Sequence, residues 1–119
     1  MERKIDVLGT EYTVEVHKFD EDNMLKDNEW VGYCSSFENK IVIVDYDDEY
    51  FKNDSCKSRD EMRKTTLRHE IIHAFFNESG LTDSTNTFNG PWCKNEEMID
   101  WFATQSPKIL RAFGKLEVI

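Results

Sequence analysis

Two histidines one helical turn apart are the residues best placed to do chemistry. His69-Glu70-Ile71-Ile72-His73 is an HExxH segment. Residues i and i+4 of a helix share a face, so both imidazoles can converge on one ion. Glu70 stands one position on, beside the open coordination site and not aimed at the metal. There a carboxylate can take a proton from a zinc-bound water. Two of the three histidines in the chain fall in this segment. Within an otherwise apolar helix, buried rings of this kind need polar partners. Type and spacing together predict a Zn2+ site with His69 and His73 as ligands and Glu70 as general base.

A catalytic zinc takes three protein ligands and leaves one position exchangeable. His17 is the only histidine left, and its alternating neighbours are those of a surface or edge strand. The better source is Asn95-Glu96-Glu97-Met98-Ile99-Asp100-Trp101. Adjacent residues point about 100° apart on a helix, so at most one of the two glutamates faces the site. Glu96 shares its face with Asp100 one turn along, and an acid in that position can orient a ligating imidazole. Glu97 shares its face with Trp101 and Thr104. Glu96 is therefore the preferred third ligand. Cys93 precedes this helix and could enter the metal shell of a latent form, although a small buried residue is the commoner role.

These residues need elements to hold them. Ser58 and Glu61 have capping-box spacing, which predicts a helix from about Arg59 to Glu78 that stops at Gly80. Ile71, Ile72, Ala74, Phe75 and Phe76 make its last third apolar nearly all round, so it is expected to be central in the core. A second helix should start near Asn95, with Pro107 kinking or restarting it and Gly114 ending it. KLEVI follows as a short strand or frayed tail.

Upstream, residues 4–19 alternate as a hairpin around Gly9-Thr10. Ile41-Val42-Ile43-Val44 reads as a strand buried on both faces, with the segment from Trp30 as its antiparallel partner. Residues 20–29 and 45–57 read as acidic loops, and 81–93 as a polar loop. Strands first and helices second predict one α+β domain over residues 1–119: a small antiparallel or mixed sheet packed on the active-site helix and a C-terminal helix.

The chain has 119 residues, 39% of them hydrophobic, which is enough for one core and too short for two lobes with a cleft between them. Its net charge is −9, with no Lys/Arg-rich stripe, and this argues against nucleic acid and anionic membrane as partners. Cys34, Cys56 and Cys93 form no CxxC pair, and MERKIDVLGT lacks an apolar core of signal-peptide length. A reduced, cytoplasmic setting is expected.

HEIIH followed, beyond a Gly-ended helix, by NEEMID resembles the zincin metallopeptidases of gluzincin type, with their HExxH and downstream NExxxD. The small size and the continuation EEMIDWFA are similar to minimal zincins of phages and bacterial mobile elements, ImmA/IrrE-like in style. The resemblance covers about Leu67 to Leu110. It implies His69, His73 and Glu96 as zinc ligands, Glu70 as base, and Asp100 as the orienter of a histidine. It also implies that a strand within Trp30–Val44 lines the cleft and receives substrate backbone. Tyr33, Tyr46, Tyr50 and Arg68 are all candidates for steadying the oxyanion, and the sequence selects none.

The expected activity is hydrolysis of peptide bonds in an intracellular protein or peptide substrate, which the acidic surface mildly biases toward basic segments. Without a second lobe, grip on the substrate must be shallow or supplied by a partner. The alternative is a non-catalytic zinc-stabilised binding or adaptor module. A closed four-ligand site recruiting Cys93 or His17 would mark it, whereas the retained Glu70 argues for catalysis.

Overall fold

The computed structural model describes residues 2–51, 58–83 and 92–119. Alternation of Ile5, Val7, Tyr12 and Val14 produces strands β1 (Arg3–Val7) and β2 (Thr10–His17), paired antiparallel with Ile5 opposite Tyr12. Leu8 and Gly9 connect them with φ of 51° and 93°. Two positive φ values give a tight turn whose twist matches that of the strands, and glycine adopts this conformation at little cost. The turn lies one residue earlier than the pattern suggested.

Strands β3 (Gly32–Ser35) and β4 (Lys40–Val44) pair antiparallel, and β4 lies parallel to β2, giving a four-stranded mixed sheet in the order β1-β2-β4-β3. Ile41, Val42, Ile43 and Val44 are all buried. Ile41 and Ile43 join Val7, Tyr12, Val14 and Ala74 on one face, while Val42 and Val44 join Phe19, Leu25, Tyr46 and Phe51 on the other. An interior strand covered on both sides needs apolar residues at every position, which explains the unbroken run.

Residues 20–29 are not simply a solvated loop. A 3-10 turn at Phe19–Glu21 leads into α1 (Asn23–Asn28), and Leu25 on it is fully buried. The Asp22 carboxylate accepts the N–H groups of Met24 and Leu25 and so starts this helix. With so short a helix and only Met24 and Leu25 apolar, hydrophobic periodicity has nothing to register. Within 45–57, a 3-10 turn at Glu49–Phe51 buries Phe51. Residues 52–57, with Cys56, and residues 84–91 of the polar loop lie outside the described residues.

Helix α2 (Arg59–Ser79) ends at Gly80, whose φ of 85° is the left-handed conformation expected there. Ser58 occupies the cap position, but its side chain makes no capping bond, so the box is not formed. Leu67, Ile71 and Ala74 pack against the sheet. Phe75 is exposed, because the sheet covers only one side of the helix. The helix flanks the core and is not enclosed by it.

Helix α3 (Glu96–Lys115) starts where the Asn95 side chain accepts the Met98 N–H, and it runs through Pro107 without a break. Proline lacks the N–H that would reach the carbonyl four residues back. That carbonyl, on Ala103, instead accepts Nε–H of Arg68 and clips α3 to α2. Gly114 lies inside the helix. The chain turns at Glu117, with φ of 56°, where Val118 N–H reaches the Phe113 carbonyl and Glu117 N–H that of Gly114. The fold is α+β. Among the described residues, no helix is long and apolar enough to cross a membrane.

Candidate metal centre

His69 and His73 project from the same face of α2, their ring centroids 4.9 Å apart and inclined at 65°. Glu70 turns from that face toward the sheet and is 5% exposed. It reaches this depth because β3 offers no side chain at Gly32. A Cβ there would stand 3.1 Å from Thr66 Cγ2, 3.2 Å from the Val42 carbonyl and 3.3 Å from Glu70 Cγ. The glycine is the point at which strand and helix close on each other.

Helix α3 brings the acids. Ile99 and Ala103, both buried, and the Arg68 clip fix its orientation. Glu96 and Asp100 then face α2 from its first two turns. Glu96 Oε2 lies 2.9 Å from His69 Nε2, and its Oε1 lies 3.1 Å from His73 Nε2. Asp100 Oδ1 lies 2.7 Å from His69 Nδ1. An acid at Nδ1 fixes the tautomer that leaves Nε2 free to donate a lone pair. Glu97, exposed, has no ion pair with either histidine among the described residues.

A ligand atom from each of His69, Glu70 and His73 lies within 4.8 Å of the others. Glu96 nonetheless makes the closer third donor, because it touches both imidazoles. Donors around a tetrahedral zinc with bonds of about 2.0–2.1 Å stand roughly 3.3 Å apart. The Glu96 oxygens, at 2.9 and 3.1 Å from the two imidazole nitrogens, stand within a few tenths of an ångström of that spacing.

Burial raises the Glu70 carboxyl to about 7, with Glu96 and Asp100 adding to the rise and His69 opposing it. A carboxyl in that range can both take and return a proton near neutral pH. Burial also holds His73 below its ordinary 6.5; His69 works in the same direction against the pull of Glu96. A lowered imidazole is neutral and available as a ligand.

Comparisons with protein-family models, with curated proteins and with solved structures found no match.

The cluster opens into a cleft of about 1150 Å³ that also takes in the whole of β3, Asn77 and Lys94. Of the four oxyanion candidates only Tyr33 lines it, and its hydroxyl donates to Asp22 at 2.7 Å. Tyr46 shares a hydrogen bond with Thr66, and Tyr50 stacks on Phe19 at 4.0 Å between centroids. Arg68 lines a separate apolar cavity between α2 and α3. His17 is held between Asp22 and Glu15, and Cys93 is buried away from the cleft. Neither stands beside the two imidazoles.

Sequence reasoning missed Gly32 and Cys34. Cys34 accepts a hydrogen bond from Asn77 on the cleft wall, and burial, aided by the charge of Glu70, pushes its thiol up to about 12. No local pattern marks either residue. The pairing of β3 with β4 puts them next to α2.

Proposed function

We propose that the chain is a zinc-dependent metallopeptidase of zincin type that hydrolyses peptide bonds in a protein or peptide substrate of the cytoplasm. The observation that carries this reading is the single Glu96 carboxylate reaching Nε2 of both His69 and His73, while Asp100 occupies Nδ1 of His69.

In this reading His69, His73 and Glu96 hold the ion, and Asp100 keeps the His69 ring turned toward it. Bound zinc supplies Lewis acidity, polarising a peptide carbonyl and acidifying water. Glu70 does the proton work: its carboxylate oxygen accepts a proton from the attacking water and returns it to the amine nitrogen of the leaving peptide. Burial keeps Glu70 out of bulk water, which raises its basicity into the useful range. The α2 and β3 walls of the cleft exclude solvent on the Glu70 side.

Metal analysis of protein purified without chelator tests this reading. About one zinc per chain is expected, lost in Glu96→Ala and kept in Glu97→Ala. Zinc that is indifferent to both glutamates, or absent throughout, would overturn it. Full cleavage by a zinc-loaded Glu70→Gln chain would overturn the assignment of the base.

A further inference from the structure

β3 is an edge strand. Val44 N–H donates to the Val31 carbonyl at 2.8 Å, so the antiparallel alternation assigns the β4-facing bonds to Val31, Tyr33 and Ser35. The N–H and C=O groups of Gly32 and Cys34 then face away from β4 and can pair with another extended chain.

Around that edge the cleft has an unusual wall. Met24, Trp30, Val31 and Phe37 all line it and all stay exposed, Phe37 completely. Apolar side chains gathered beside a cleft and left open to water mark a recognition surface more often than a packing defect. Glu29 and Glu38 line the same wall. Neither has an ion pair with His69 or His73 among the described residues, so an ion at the histidines would leave their charge in place. Glu38 has an ion pair with Lys40 at 3.3 Å but remains largely exposed. Lys94 is the one Lys or Arg lining the cleft among the described residues.

We infer that this wall selects an extended polypeptide segment combining apolar with basic side chains, laid along β3 with its apolar groups on Trp30 and Phe37 and its cations near Glu29 and Glu38. The inference rests on the proposed function only in taking the cleft as the groove that receives polypeptide, whether or not the chain then cuts it. It commits to what that polypeptide looks like.

The test measures binding, separately from cleavage. The zinc-loaded Glu70→Gln chain is titrated into three blocked, dye-labelled octapeptides that alternate Leu with Lys, Leu with Glu, or Ser with Lys. Fluorescence anisotropy should give a Kd for the Leu/Lys peptide about tenfold below either of the others, the scale set by a few apolar anchors and complementary charges. Phe37→Ser should weaken Leu/Lys binding about fivefold, the loss of one exposed aromatic anchor. Glu29→Lys combined with Glu38→Lys should bring the Leu/Glu peptide level or ahead.

Reversing two exposed acids outside the cleft, Glu2→Lys with Glu117→Lys, should leave the Leu/Lys Kd unchanged, which separates the wall from general attraction to an acidic protein. Equal affinity for the Leu/Lys and Leu/Glu peptides overturns the inference. So does a Kd indifferent to both cleft variants, or one weakened equally by the distant pair. If the Leu/Lys peptide binds as expected and the wild-type zinc-loaded chain leaves it intact, the peptidase reading falls and the docking surface stands.

Discussion

Two clusters in this chain put imidazole against carboxylate, and they differ in whether an acid is shared between rings. At the end of β2, Asp22 lies 2.6 Å from Nδ1 of His17 and Glu15 lies 2.8 Å from Nε2, so one ring is gripped from both sides. Burial pulls His17 down, but the bonds to Asp22 and Glu15 outweigh it and hold the ring above its ordinary 6.5. At α2 one carboxylate is shared: Nε2 of His69 and Nε2 of His73 both face Glu96, while Asp100 takes Nδ1 of His69. Burial keeps His73 below 6.5 there. Among the described residues, His17 shares its two acids with no second imidazole, and their bonds favour its charged form. Two imidazoles brought to one shared carboxylate are the arrangement on which the proposed metal site rests.

The largest expected effect breaks the second cluster chemically and leaves the first untouched. Glu70→Gln should lower peptide cleavage by about 10²–10⁴-fold, the usual contribution of a general base, with zinc content unchanged. Steady-state cleavage with parallel metal analysis checks both halves.

Next comes removal of the ion. A ligand present at a thousand times its Kd stabilises the fold by about 4 kcal/mol, so chelation should lower the thermal midpoint of the wild type and of His17→Gln by similar amounts. Glu96→Ala, its site already broken, should be insensitive to chelator. Calorimetry with and without EDTA reads this directly.

Asp100→Asn should weaken zinc about 10–100-fold by loosening the His69 ring, since acids behind ligating histidines act at that scale. Competition with a chromogenic chelator measures it. The same experiment on Asp22→Asn should show no change, because Asp22 is bonded to His17 and, among the described residues, to neither His69 nor His73.

The smallest effect lies in the pH dependence of the closed cluster. Burial raises Asp22, but hydrogen bonds from His17, Tyr33 and Leu25 outweigh it and hold the carboxyl below its ordinary 3.8. Its stabilisation is therefore present above pH 3.8 and lost as pH falls through the lowered folded value. His17 runs the other way: its contribution is complete below 6.5 and lost as pH rises through the raised folded value. Asp22→Ala should cost about 2 kcal/mol from the lost cap and charge-assisted bonds, and most of all between pH 4 and 6.5. Urea unfolding of both chains from pH 3 to 9 tests the window.

Legibility followed the range of the interaction. The α2 boundaries, the face shared by His69 and His73 with Glu70 beside it, the pairing of Glu96 with Asp100, and the doubly buried run Ile41–Val44 all express themselves within one or two turns or one strand, and a period of 3.6 or 2 displays them. Helix α1 escaped because its signal is one capping aspartate and few apolar residues. Gly114 misled because glycine is the usual stop, while here Glu117 takes the left-handed turn.

Local spacing by itself thus determined that two imidazoles share a face of a long helix, that Glu70 stands beside them, and that a second helix carries an acid pair one turn apart. Only the tertiary structure decided that these helices meet. Their meeting depends on the Ala103 carbonyl that Pro107 cannot satisfy and Arg68 can. The seating of α2 on the sheet depends likewise on a glycine in β3 that leaves room for Glu70. Both are contacts between residues far apart in sequence, chosen by packing and by the need to satisfy buried polar groups, and no periodicity along the chain encodes them.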